Sequence, residues 1–345
     1  MQRLKTLAPQ LSAPDAKLGD VMRRFNELPY PFVIVVDDKN RPVGTVTDGD
    51  IRRAILAGAG LDAPIANVMN RRPIVGMLDN PAAARALLEQ VAFIPMVDGS
   101  GALLEIWRAS PTATRISAAL VMAGGFGKRL GKKTKSAPKP LLPVGDKPIL
   151  EHILARLEQS GIHDIFVSTH YLADRIREFL DTRNGVARPN VIYEESSLGT
   201  AGALALLPEP IDGPILVVNG DVLTQLDLEA LDAFHHAHTF DGTVAVSPHR
   251  VPVPYGVVRQ NADGSFDGID EKPTYTYFVA AGVYLLSPEF CRLVPERTRI
   301  DMPDLLNLGR SAGLKIGLFP IHEYWIDVGR PDDLAAANRH HRDQR

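Results

Sequence analysis

Between Gly124 and Lys139 the sequence gathers the groups that hold a polyphosphate. The apolar run ISAALVMA (116–123) ends in Gly124-Gly125-Phe126-Gly127, and six of the twelve residues from Lys128 to Lys139 are basic. A buried strand that breaks into glycines lets backbone N–H groups approach a ligand closely, and the cations beside the turn suit phosphate oxygens. The chemistry indicated is capture of a nucleoside triphosphate and transfer of part of it. GGFGKR is not a P-loop, because Lys128 is followed by Arg129 rather than Ser or Thr. It is not a dinucleotide fingerprint either, lacking the third glycine and a suitably placed acid. What lifts it above a tight turn and a solvated charge run is Arg129 ten residues before Lys139, which is flanked by Pro138 and Pro140. A second polar break, Asn219-Gly220-Asp221 after the apolar ILVV, stands in the same kind of place. Alone, it would read as a turn.

Positioning these groups requires a sheet. From 116 onward, apolar runs predict strands at 117–122, 164–169, 190–193, 214–218, 242–247, 278–286 and 315–319. Helical spacing predicts helices at 148–160, 171–181, 200–206, 227–236, 301–309 and 331–340. Alternating strands and helices imply an α/β fold, a largely parallel sheet with helices on both faces and ligands at the carboxyl ends of the strands. Before residue 110, the order helix–strand–turn–strand occurs twice: a helix at 15–28 with strands 32–36 and 43–46, then a helix at 81–90 with strands 93–97 and 102–106. That is an internal repeat of roughly 60 residues. The polar stretch WRASPTATR (107–115) reads as a linker.

Bulk properties exclude several function classes. With 345 residues the chain is long enough for two domains. A net charge of −3 gives no general attraction to nucleic acid or anionic membrane, so the basic run is a local feature. Cys291 is the only cysteine, which removes disulfide frameworks and cysteine metal clusters and fits a reducing cytoplasm. No apolar run approaches the ~20 residues of a membrane span, and the N-terminus lacks a signal-peptide core. His235, His236 and His238 have no recognisable zinc co-ligands and are expected on a solvated face. Tyr324 and Trp325 are expected to pack, and His170 to border the ligand pocket at most.

GGFGKRL…APKPLLPVGDKPIL resembles the signature of the sugar-1-phosphate nucleotidylyltransferases. Further strings follow in that family's order over about 117–338: LGTAG (198–202), VVNGDVL (217–223), PYGVV (254–258), IDEKPTY (269–275) and YWIDVGRPDDL (324–334). The resemblance implies a Rossmann-like, GT-A type domain with a mixed, mostly parallel sheet. It also implies roles. Gly124, Gly125, Gly127, Gly199 and Thr200 would bind the nucleotide, Arg129 the leaving pyrophosphate, and Lys139 the triphosphate charge. Gly256 and Glu271 would meet the sugar and Lys272 its phosphate, while Asp221 and Asp327 would hold Mg²⁺. Sharing an ion requires those two carboxylates to approach within roughly 3–6 Å. The reaction implied is in-line attack of a sugar 1-phosphate on the α-phosphate of an NTP, releasing pyrophosphate. A phosphate nucleophile is already ionised, so cations and positioning replace a general base. Two departures stand out: Lys128 replaces the family's threonine, and Lys132, Lys133 and Lys135 fall where P-L-T is common. Ala280 stands where many members carry Asn, which leaves the sugar open. The motifs lean toward the mannose-1-phosphate guanylyltransferase branch, hence GTP and a GDP-sugar of the kind used in cell-surface polysaccharides.

The N-terminal repeat resembles a tandem pair of CBS domains, carried by VVDDKNRPVGTVTDGDIRRAIL (35–56). The match implies that Thr47 and Asp50 hold the ribose of an adenine or guanine nucleotide effector; the alternative reading is that Asp50 caps a helix. The second repeat, GALLEIW (101–107), lacks T-x-x-D, so at most one such site is expected. CBS units also serve dimerisation, so a homo-oligomer is expected. A CBS pair ahead of this transferase is similar to guanylyltransferases acting on glucosamine 1-phosphate in nonulosonic-acid (legionaminic acid) pathways. The resulting division is 1–110, a 111–116 linker and 117–345. The competing reading is a non-catalytic protein that senses a nucleotide or nucleotide sugar.

Overall fold

Apolar residues at every second position build the central sheet. In the strand Ala118–Met122, Ala119 and Val121 join one buried cluster while Ala118 and Leu120 join another. The same alternation recurs in Ile215–Asn219 and Thr274–Leu286. One cluster is closed by the helices Ile149–Gln159, Leu228–Ala237 and Pro331–Asp343, the other by Met302–Ser311 and Pro288–Arg292. A sheet buried on both faces in this way explains why its strands are nearly continuous runs of apolar residues.

The computed structural model describes residues 1–343 apart from 26, 29, 89–90, 110–113, 135–136 and 209–210; for 128, 132 and 133 it describes the backbone alone. Two compact units form, Met1–Ala113 and Thr114–Arg345. Residues 111–113, half of the expected 111–116 linker, lie outside the described residues.

The large sheet of the second unit has seven strands, in the order Asn190–Tyr193, Ile165–Thr169, Ala118–Met122, Ile215–Asn219, Thr274–Leu286, Gly242–Pro252 and Ile316–Pro320. All run parallel except Thr274–Leu286, which is antiparallel to both neighbours. Because Ala118–Met122 lies beside Ile215–Asn219 with Met122 opposite Asn219, the glycine loop and Asn219-Gly220-Asp221 leave the sheet side by side. The Gly220 amide donates to Met122 O at 2.9 Å.

Two strands outrun their expected limits. Gly242–Pro252 and Thr274–Leu286 stay paired to Pro252↔Thr274, forming an arm beyond the sheet on its carboxyl edge. The part beyond the expected limit at 247 contains Pro248 and Pro252. Past Val246 the strand has no partner on its second side among the described residues, so prolines cost no ladder bond there. The arm ends in a hairpin, Val257–Gln260 with Phe266–Asp270. A short ribbon that sequence reading missed, Val222–Thr224 with Trp325–Asp327, is too brief for a period-two signal. The helix expected at 200–206 is a 3₁₀ turn, Gly202–Leu206, because the Thr200 and Ala201 amides donate to Asp301 Oδ1 and Ile300 O instead.

In the first unit, Phe32–Val36 pairs antiparallel with Pro42–Thr47 and parallel with Leu11–Ser12; Phe93–Val97 pairs likewise with Leu103–Arg108 and Gly76–Met77. Helices Leu18–Phe25 and Pro81–Leu87 occupy equivalent places in the two repeats. The first begins at Leu18 rather than 15 because Lys17 bridges to Pro64 and the Leu18 amide bonds Ala63 O. Phe32 and Phe93, each first in its strand, stack at 3.8 Å between ring centroids. Among the described residues, no helix is long and apolar enough to cross a membrane.

Leu154 is fully buried in the cluster beneath the sheet. Leu154→Ala should cost about 2–5 kcal/mol, seen as a lowered urea midpoint; an unchanged midpoint would show that this face is not the packed core described.

Candidate active site

Gly127 bends the loop back on itself. Its φ is 60°, and an added Cβ would lie 2.9 Å from Thr134 Cγ2 and 3.2 Å from Lys139 Cβ. Thr134 Oγ1 donates to Gly127 O at 3.0 Å, closing the turn. Gly124 packs against Glu194 and His170, so a Cβ there would meet Glu194 Oε1 at 3.2 Å, whereas Gly125 faces open space. The side chains of Lys128, Lys132 and Lys133, and Lys135 as a whole, lie outside the described residues.

At the end of the neighbouring strand the charges converge. The Lys139 ammonium donates to Asp221 Oδ2 and lies 3.7 Å from Asp327 Oδ1. Both carboxylates therefore flank one cation, inside the ~6 Å that a shared ion demands. The ribbon explains the approach: Val222 pairs with Asp327, and the Val328 amide donates to Asp221 O at 3.0 Å. Burial and the charge of Asp221 push the Asp327 carboxyl above its ordinary value, against the pull of Lys139 and Arg129. Arg129 is thus part of the same electrostatic cluster. Its Nη1 lies 3.9 Å from where a Cβ on Gly329 would stand, beside Asp327 and Asp333. Asp333 Oδ2 in turn accepts from the Arg330 amide at the start of the C-terminal helix.

Other predicted residues form separate groups. Gly199 has φ +82° and packs on Ile300 O. The Thr200 amide donates to Asp301 Oδ1 at 3.0 Å, and its hydroxyl accepts from Met302 N–H at 2.8 Å, so Thr200 holds the start of helix Met302–Ser311. Gly256 sits against Glu271 on the arm, where a Cβ would be 3.0 Å from Glu271 Oε2. Lys272 follows with φ 46°, unusual for a residue with a side chain. Topology puts this arm on the same carboxyl edge as the charge cluster.

Two side chains beside the recognised motifs were given no role of their own from the sequence. Glu194 is 2% exposed beside the glycine loop, and its Oε2 accepts from Leu198 N–H at 2.9 Å, which shapes the turn before Gly199. Asn219 Oδ1 is buried without a hydrogen-bond partner. The signal for both lay in their position beside recognised motifs. His170 Nδ1 bonds Glu194 O at 2.9 Å and its ring meets Phe126 edge-on, placing it at the loop. His235 corrects an expectation. It is 3% exposed, bonded to Thr243 Oγ1, and burial lowers its pKa to about 4. Of the other two, His236 is half-buried against Asp232 and only His238 is exposed. Trp325 packs as expected, donating Nε1–H to Ala281 O at 2.8 Å.

In the first unit, Thr47 and Asp50 close on one another. Asp50 Oδ2 accepts from the Thr47 amide (2.8 Å) and hydroxyl (2.7 Å), and Thr47 Oγ1 accepts from the Asp50 amide (3.3 Å). This capping box starts the helix Asp48–Leu56.

Residues 118–344, two adjacent loops and the ribbon included, match the nucleotidyl transferase family. The chain belongs to that family. Residues 13–57 match the CBS domain. The chain is 33% identical over 228 residues to a mannose-1-phosphate guanyltransferase of Schizosaccharomyces pombe, covering 62% of this chain and 61% of that protein. It is 33% identical over 236 residues to a probable mannose-1-phosphate guanylyltransferase of Arabidopsis thaliana, covering 64% of each. It thus spans less than two thirds of the length of these relatives. The crystal structure of HddC from Yersinia pseudotuberculosis superposes with a TM-score of 0.53 at 26% identity, over 66% of this chain and all of that one. HddC complexed with GMP-PN gives 0.52 at 25%, again over 66% of this chain and all of that one. In this nucleotidyl transferase Asp221 and Asp327 are brought together by a ribbon only three residues long on each side.

Asp327 binds its proton more tightly folded than unfolded. It therefore withdraws stability as pH rises from 3.8, its ordinary value, through the raised folded value. Asp221→Asn should lower the pKa of Asp327, read from its carboxyl ¹³C shift, and flatten the fall in stability across that window. An unmoved value would show that the two carboxylates do not sense each other.

Proposed function

We propose that the second unit is a sugar-1-phosphate nucleotidylyltransferase that forms a GDP-sugar and pyrophosphate from GTP and a sugar 1-phosphate. The observation that carries this is the meeting of Lys139 with Asp221 and Asp327, with Arg129 beside them, at the carboxyl ends of adjacent parallel strands. The choice of guanine rests on the names of the relatives and on the nucleotide analogue bound to HddC.

The charge cluster fits Mg²⁺. Its donors are hard carboxylate oxygens, Asp221, Asp327 and Asp333 outweigh Lys139 and Arg129, and burial with the charge of Asp221 raises Asp327. Asp221 and Asp327 would hold the ion, which when bound would draw charge from a triphosphate oxygen. The chain's own groups do the rest. Amides of Gly124, Gly125 and Gly127 line the nucleotide, with Gly199 and Thr200 shaping the opposite wall. Arg129 takes the departing pyrophosphate. Lys139, within reach of both carboxylates, balances charge on the triphosphate. Gly256 and Glu271 bind sugar hydroxyls and Lys272 the sugar phosphate, orienting its oxygen for in-line attack. Unlike charges ~4 Å apart at an effective dielectric of ~20 attract by about 4 kcal/mol, so removing one cation or carboxylate should be felt strongly.

The first unit is proposed to modulate this activity through an adenine or guanine nucleotide at Thr47 and Asp50, in a cytoplasmic homo-oligomer. A ribose would have to compete with the capping box for Asp50, so weak binding is expected.

Pyrophosphate release should appear with GTP and a hexose 1-phosphate in a screen of four NTPs against a sugar 1-phosphate panel. Asp221→Asn and Lys139→Met should each reduce it about 10²–10³-fold without unfolding the protein. No release from any pair would leave the sensing reading in place. Titrating AMP, ATP and GDP-sugar into initial-rate assays tests the first unit; flat rates would remove the effector role.

A further inference from the structure

Lys139 stands where a cation held by both carboxylates has to stand. Its ammonium donates to Asp221 Oδ2 and lies 3.7 Å from Asp327 Oδ1. Among the described residues it has no partner other than these two acids. Arg129 belongs to the same cluster but lies to one side, its Nη1 3.9 Å from where a Cβ on Gly329 would stand. Positive charges a few ångströms apart repel, and an ammonium and a divalent cation draw on the same carboxylate oxygens. At this place the lysine and Mg²⁺ are therefore alternatives.

The part of the cluster that can move is the lysine side chain. The backbone is tied at all three residues. The Leu141 and Leu142 amides donate to Pro138 O (2.9 Å) and Lys139 O (3.1 Å), and Pro140 between them is buried. The Val328 amide holds Asp221 O at 3.0 Å, and Val222 pairs with Asp327. Lys139, by contrast, carries a point charge on a flexible four-carbon stem, where an arginine would present a rigid fork. The Asp327 side chain is 51% exposed against 13% for Lys139. An ion arriving from solvent thus meets the carboxylate before the ammonium.

We propose that Lys139 is an exchangeable counterion. It holds Asp221 and Asp327 together, yields its place between them to the divalent cation, and carries its charge to the triphosphate only once that cation is seated. One lysine then serves two duties in turn, and the exchange sets their order. Delivery to the triphosphate rests on the transferase reading; the exchange does not.

The test follows binding of Mn²⁺, a divalent probe that takes oxygen ligands, to the full chain with no nucleotide or sugar phosphate present. Free Mn²⁺ is read by electron paramagnetic resonance. Lys139→Met keeps the stem and removes the charge. It should bind Mn²⁺ at least tenfold more tightly than the unaltered chain, although it is expected to lose pyrophosphate release. Arg129→Met removes an equal charge outside the gap and should gain less than threefold, whereas Asp221→Asn should lose at least tenfold. Lys139→Met should also melt lower, its two acids being uncompensated, and Mn²⁺ should raise its melting temperature more than that of the unaltered chain. With Mg²⁺ as the titrant, the Nζ resonance of Lys139, assigned by its loss in Lys139→Arg, should shift saturably. If Lys139→Met fails to fold, this shift decides alone. Equal or weaker Mn²⁺ binding by Lys139→Met, an equal gain in Arg129→Met, or a Lys139 resonance unmoved by millimolar Mg²⁺ would overturn the exchange. So would failure of both the unaltered chain and Lys139→Met to bind millimolar Mn²⁺. None of these readouts needs turnover, so a negative pyrophosphate screen leaves the exchange standing.

Discussion

One ammonium between two carboxylates is the constraint around which the second unit is arranged. Asp221 and Asp327 could not share so small a space if Lys139 did not stand between them, and burial together with the charge of Asp221 still holds the Asp327 carboxyl above its ordinary value. Each partner arrives by a different route: Lys139 from the proline-flanked loop, Asp221 from the end of a central strand, Asp327 from the ribbon. The glycine turn, the strand order and the ribbon register each serve to bring one of these charges to a common point. Such a cluster is poised for a more highly charged partner, because a like-signed pair held by a single cation still attracts positive charge.

The lone antiparallel strand, Thr274–Leu286, has a comparable place in the architecture. A purely parallel sheet returns every chain to its amino edge through a helix. Here the chain runs out along Gly242–Pro252, turns beyond the carboxyl edge and comes back along Thr274–Leu286. The reversal puts Gly256, Glu271 and Lys272 on the ligand side of the sheet without a separate domain.

Legibility followed the range of the interactions. The central strands were visible because burial on both faces demands unbroken apolar runs, and Gly124–Lys139 was visible because its residue types are costly anywhere but at an anion. The extension to Pro252 was hidden by two prolines that only an unpaired strand side permits. The ribbon was hidden by its length, although it decides where Asp327 sits. His235 was misplaced because burial against Thr243 depends on a neighbouring strand, not on the helix's own pattern. Thr47 and Asp50 could be read from sequence either as a cap or as a ribose site, and the capping box accounts for both side chains within the chain itself.

The arm behaves as a cantilever. Its ladder is continuous from Val246↔Ala280 to Pro252↔Thr274, and the irregularity between Val244 and Val246 sits at its root, where a local increase in twist sets the direction of everything beyond. Small changes at the root would swing the tip through a large arc, whereas changes at the tip leave the root and the charged centre undisturbed. The fold thus separates a part joined to the sheet through one root from a part whose charges are fixed by three converging segments.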